Sequence, residues 1–309
     1  MSYRLRRRQL LGAGLGLAAT FWSRTEIAAA ASDKAVTVIV PFRTAPFPYD
    51  GEVPDTGQPF LDVEQAGRRG HTSARGGIYW QDQTYSDSSV LLHVPAHFDP
   101  HRPAVLVVYF HGNSADLRRT VLGDQRVVEQ FDAAGINGLL VAPQLAVDAL
   151  DSSAGRFWLP GAFSQFLSEA AKRFGRSAKV SSLPVIIVAY SGGYDAAAYA
   201  LTVGGVSERV AGVVLLDALF GEEERFIDFI RERGRSSFFF SAFGEATAAT
   251  NEQMATTLRR LKVRVESDAP DALRRGSVTI LATDAAHETF VTSAWVDDPI
   301  RWILERIPL

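Results

Sequence analysis

Cysteine is absent from all 309 residues, so neither a disulfide framework nor lipid attachment at a cysteine is open to this chain, and its stability rests on packing. An excess of positive charge is lacking too. Lys and Arg number 32 against 35 Asp and Glu, and removal of residues 1–31 would leave 27 basic against 34 acidic residues, a formal charge of −7. That balance carries no basic footprint and excludes nucleic acid as the expected partner. Long apolar runs are scarce: residues 10–22 form the longest near the N-terminus, short of the ~20 residues that span a bilayer. Histidine is sparse as well, with six in the chain. The remainder, 47% hydrophobic and 22% charged, is ordinary for a folded enzyme and sufficient for a large core around one sheet.

Arg4, Arg6, Arg7 and Arg8 immediately precede the apolar run, and the small residues Ala28, Ala29, Ala30 and Ala31 follow it. A basic segment, a short apolar segment and small residues are the parts of an export signal, with cleavage expected near Ala30 or Ala31. The pair Arg7-Arg8 followed by Gln9-Leu10-Leu11 resembles the twin-arginine (Tat) signal, although Arg6 stands where a small polar residue is more usual. That resemblance implies a periplasmic or secreted protein that meets the membrane only transiently through residues 1–31, with an uncleaved anchor as the alternative.

Residues 32–309 read as one catalytic domain whose first part, to about residue 88, is extended and loop-rich. Pro41, Pro46, Pro48, Pro54 and Pro59 interrupt any long helix there, and the β-branched run Val36-Thr37-Val38-Ile39-Val40 predicts a strand at a sheet edge. Beyond it, apolar runs alternate with helical stretches. Strands are expected over 89–94, 104–110, 138–142, 184–189, 210–216, 236–240 and 277–282, and helices over 117–134, 161–174, 194–203, 222–233 and 251–261. The alternation predicts an α/β fold, a mostly parallel sheet with helices on both faces.

The strongest local signal is Val185-Ile186-Ile187-Val188-Ala189-Tyr190-Ser191-Gly192-Gly193, an apolar strand that delivers a serine and runs directly into a helix. A serine at so sharp a turn is held in a strained conformation, and only small residues two positions away on each side, here Ala189 and Gly193, let strand and helix pass. This resembles the G-x-S-x-G nucleophile elbow of the α/β-hydrolase family, with alanine in place of the first glycine. The following helix turns its N-terminus toward the serine, favouring negative charge there.

The resemblance implies an α/β-hydrolase fold with Ser191 as nucleophile. It extends to His111-Gly112-Asn113 after the run 104–110, where the family carries an HG loop, and implies an oxyanion hole from the backbone N–H groups of Asn113 and Gly192. His111 itself reads as a brace for that loop. The family's order of serine, acid, histidine leaves His287 as base, since His71, His93, His97, His101 and His111 all precede Ser191. For the acid, Asp217 ends the apolar run 210–216 directly at the sheet edge that holds the serine. Glu245, after the following run, is the alternative, on the strand that more often carries the acid in the family.

His93, His97 and His101 recur every four residues, but Pro95 and Pro100 forbid the helix that would gather them. No metal and no cofactor are expected. Phe157, Trp158, Phe238, Phe239, Phe240 and Phe243 are candidates for an apolar acyl pocket or, more simply, for core. The expected chemistry is hydrolysis of a small-molecule or polymeric carboxylic ester through an acyl-enzyme. An amidase or peptidase with the same triad, or a non-catalytic ligand-binding member of the fold, are the alternatives.

Overall fold

A computed structural model of the chain describes residues 34–175 and 177–307; the expected export signal of residues 1–31 lies outside them. Among the described residues eleven strands are formed: β1 (Val36–Pro41), β2 (Val63–Gln65), β3 (Arg68–Thr72), β4 (Ile78–Trp80), β5 (Ser89–Val94), β6 (Val105–Phe110), β7 (Gly138–Pro143), β8 (Val185–Tyr190), β9 (Val210–Leu216), β10 (Phe238–Phe243) and β11 (Val278–Ala282). The helices are α1 (Gln81–Thr84), α2 (Val127–Ala133), α3 (Ala162–Arg173), α4 (Ser177–Val180), α5 (Tyr194–Thr202), α6 (Glu223–Arg233), α7 (Ala248–Arg260) and α8 (Pro299–Leu304). Among the described residues no helix is long and apolar enough to cross a membrane.

Eight strands make one sheet in the order β1-β5-β7-β6-β8-β9-β10-β11. β5 runs antiparallel to both of its neighbours, and the strands from β7 to β11 are mutually parallel. This order, with one antiparallel strand near the edge and crossover helices between the rest, is the α/β-hydrolase fold. Strand periodicity places the core. Leu106, Val108 and Phe110 of β6 with Ile187 and Ala189 of β8 face one layer, where α3, α5, α6 and α7 supply Phe163, Phe166, Ala197, Phe226 and Leu258. Val105, Val107 and Tyr109 with Ile186 and Val188 face the other, against Phe131 of α2 and Ile303 of α8. Burial on both faces explains why these strands read as unbroken apolar runs. Phe157 and the phenylalanines of β10 belong to this core.

Three differences from the sequence reading have physical causes. The expected helix over 117–134 is two pieces, a wide π-helical segment Leu117–Asp124 and then α2, separated by Arg126 in the left-handed region at φ 49°. The strand expected over 236–240 begins two residues later and continues through Phe243, because Ser236 and Ser237 still close the turn after α6 through bonds to Arg233 O. The segment read as loop holds a second sheet, β2-β3-β4, in which Val63 pairs with Gly70 and Gly70 with Trp80. Its central strand, Arg-Arg-Gly-His-Thr, has none of the apolar alternation that marks a half-buried strand; turns at Ala66-Gly67 and Gly76-Gly77, all four at positive φ, hold it in place.

Candidate active site

β8 ends at Tyr190, and Ser191 turns the chain into α5 at φ 49°. A non-glycine residue in the left-handed region stores strain of about 1–3 kcal/mol. Close packing enforces it: a Cβ on Gly193 would lie 2.5 Å from the backbone oxygen of Phe110, so β6 and α5 pass with room for a hydrogen only. Ser191 is 6% exposed, so little of it meets solvent.

His287 follows β11 and brings its ring over the elbow. Its Nε2 lies 2.8 Å from Ser191 Oγ, and its Nδ1 lies 2.6 Å from Asp217 Oδ2. Because a carboxylate only accepts, Nδ1 carries the proton and Nε2 is the acceptor for the serine hydroxyl. Asp217 follows β9, is fully buried, and also sits in the left-handed region at φ 42°. Its backbone N–H donates to Ala242 O at 2.8 Å, while its Oδ1 accepts from Gly244 N at 3.1 Å and from Thr247 Oγ1. Burial pushes this carboxyl up, but donation from His287, Thr247 and Gly244 outweighs burial and holds it below the ordinary carboxylate value. Glu245 does not reach this group. It is exposed at the start of the turn after β10, and its loop serves Asp217 through Gly244 N–H and the Thr247 hydroxyl instead.

The loop after β6 lies on the other side of the serine. His111 is fully buried, with its Nδ1–H donating to Gly112 O at 2.8 Å and its Nε2 accepting from Leu145 N at 2.9 Å. Burial lowers its pKa to about 4, so it is a neutral strut between the loops after β6 and β7 and is remote from proton transfer. Gly112 lies against the serine, where a Cβ would stand 2.8 Å from Ser191 Cβ. The Asn113 side chain lies on Gly192, its Oδ1 only 1.9 Å from where a Cβ would be, and accepts from Ser152 Oγ at 3.2 Å. Asn113 Nδ2 is buried without a hydrogen-bond partner among the described residues. The structure thus brings the segments of Asn113 and Gly192 into contact beside Ser191.

Several residues of the site carry no sequence signal. Tyr190 donates to His287 O at 2.9 Å and stacks on its ring at 5.3 Å between centroids; a tyrosine ending an apolar strand looks like core. Phe220 meets the His287 ring edge to face at 5.6 Å. Asp195, one turn beyond the serine, accepts from Ala154 N and Trp158 Nε1, both at 2.9 Å. Burial, with Glu222 adding to it, raises its pKa to about 7. The spaced histidines go to separate partners: His93 bridges Thr37 and Asp132, and His97 meets Ile136 O. No cluster of three or more metal-ligating side chains occurs among the described residues.

No protein-family model and no curated protein matches the chain. Solved structures do. A feruloyl esterase module from Clostridium thermocellum is 15% identical, with 84% of this chain and 97% of that one covered at a TM-score of 0.47. An S-formylglutathione hydrolase from Agrobacterium tumefaciens is 14% identical, covering 80% and 98% at 0.46, and one from Staphylococcus aureus is 11% identical, covering 87% and 99% at 0.49.

Proposed function

We propose that the protein is a serine hydrolase that cleaves a carboxylic ester through an acyl-enzyme, with Ser191, His287 and Asp217 as its triad. The observation that carries this reading is the unbroken hydrogen-bonded line from the strained Ser191 hydroxyl through His287 to a buried carboxylate. His287 Nε2 takes the hydroxyl proton as Ser191 Oγ attacks the ester carbonyl, and Asp217 holds the resulting imidazolium without accepting its proton. The carbonyl oxygen becomes an oxyanion, stabilised by the backbone N–H groups of Asn113 and Gly192 and by the N-terminus of α5. Collapse expels the alcohol, whose oxygen receives the proton from Nε2. Water then repeats the sequence on the acyl-Ser191, releasing the acid and restoring the hydroxyl.

Residues 32–309 act in this reading as one catalytic domain, exported through the signal of residues 1–31 and working in the periplasm or outside the cell. The triad is tested by Ser191→Ala. Hydrolysis of short p-nitrophenyl esters is expected to fall by about 10⁴-fold or more, with loss of labelling by a fluorophosphonate probe. Turnover and labelling equal to those of the native enzyme would refute it. N-terminal sequencing of the exported protein, with an end near Ala31 expected, tests the export assignment.

A further inference from the structure

The β3–β4 hairpin, outside the main sheet, reaches the rim of the site. Its turn is closed by Ser73 N to Gly77 O at 3.1 Å and Gly76 N to Ser73 O at 2.9 Å, and Arg75 N donates to Ser73 Oγ at 3.2 Å. The tip is tied down on both sides of Leu150: Ser73 Oγ donates to Leu150 O at 2.6 Å, and Leu150 N donates to Tyr79 Oη at 3.1 Å. Leu150 belongs to the loop after β7 that also places Ser152 against Asn113. The hairpin is therefore fixed to the wall of the candidate active site.

What it presents there is Arg75. The guanidinium lies 4.7 Å from the centre of the Phe220 ring, and Phe220 in turn contacts His287 edge to face and Tyr194 at 6.3 Å. Phe220 follows Asp217 by three residues, so one ring separates an exposed cation from the catalytic imidazole. No carboxylate among the described residues lies within ion-pair distance of Arg75. Its planar fork, placed over the aromatic face, keeps donors free. A cation held by the turn of its hairpin and by a ring, yet lacking a counter-ion, is arranged to receive one.

Location tells which part of a substrate it reads. In the proposed reaction His287 returns its proton to the departing alcohol, so the alcohol lies on the His287 side, toward Phe220. We infer that Arg75 is a specificity-determining residue that selects esters whose alcohol portion carries a carboxylate, that is, esters of a hydroxy acid. This rests on the proposed ester hydrolysis and names its substrate class.

The test compares two acyl esters of the same hydroxy acid, one with a free carboxylate and one with that carboxylate masked as a primary amide. The native enzyme is expected to favour the free acid in kcat/KM by about tenfold, the size of one charge-assisted contact, and salt is expected to erode the preference. Arg75→Met is expected to abolish the ratio, and Arg75→Glu to turn it toward the amide and toward a choline-type leaving group. Thermal melts of each variant separate loss of preference from loss of fold. A native ratio near one, or a ratio unmoved by Arg75→Met in a folded variant, overturns the inference. If the native enzyme hydrolyses neither ester and no other, it is the ester reading that fails.

Discussion

At the scale of single residues, Asp217 decides how the proposed relay would work. Its two oxygens divide the labour: Oδ2 serves His287 Nδ1, and Oδ1 is held by Thr247 and Gly244. Asp217→Asn keeps the shape but can present an N–H to Nδ1, forcing the imidazole into the tautomer that cannot accept from Ser191. A fall in kcat of about 10⁴-fold is expected, with a loss of thermal stability at neutral pH, where the ionised carboxylate contributes in full. Thr247→Val removes one support of the carboxylate and is expected to lower kcat by about tenfold. In the Asp217→Asn background the same substitution should cost nothing further, because it acts only through the carboxylate. Steady-state kinetics of the three variants checks both statements. Asp217 was visible in the sequence because it ends an apolar strand; Thr247 was not, because a threonine in a helical turn has no chemical signature until the fold aims its hydroxyl.

At the scale of elements, the elbow joins β8 to α5 by way of two glycines with different duties. A methyl on Gly193 would meet the Phe110 backbone oxygen at 2.5 Å, and backbone in the sheet centre cannot withdraw. Gly193→Ala is therefore expected to destabilise the fold by about 1–3 kcal/mol, seen as a lower urea midpoint. A methyl on Gly192 would meet the Asn113 side chain instead, at 1.9 Å from Oδ1. That side chain can move, so Gly192→Ala should cost less stability and, by displacing the loop of Asn113, more activity. Equal losses of both kinds in both variants would contradict this division. The main sheet was legible because strands buried on both faces leave unbroken apolar runs, and β5 and β9 begin and end where those runs do. The β2-β3-β4 sheet was illegible because one face lies open to solvent and its strands are of three to five residues. Turn geometry and ties to the rest of the protein hold it, and these are long-range. With it the sequence hid Arg75, since a lone arginine among glycines reads as solvated loop.

At the scale of the whole molecule, two buried acids set how stability follows pH, and they act in opposite directions. Asp217 is held below its ordinary value, so its contribution is complete above the unfolded value near 4 and is lost as pH falls through its folded value. Asp195 is raised to about 7 by burial, with Glu222 and Asp151 adding to the effect and Trp158 and Ala154 opposing it. Between about pH 4 and 7 the folded protein thus holds a proton at Asp195 that the unfolded chain has released. Stability from this group must therefore decline as pH rises across that window and level off above it. Asp195 joins α5 to the loop carrying Trp158, so its ionisation loads the helix behind Ser191. Asp195→Asn keeps an acceptor for both donors and cannot ionise. Thermal melts from pH 4 to 8 should show the native protein losing stability toward neutrality relative to this variant, with the two closest at pH 4. Parallel curves across the range would mean that Asp195 does not titrate there.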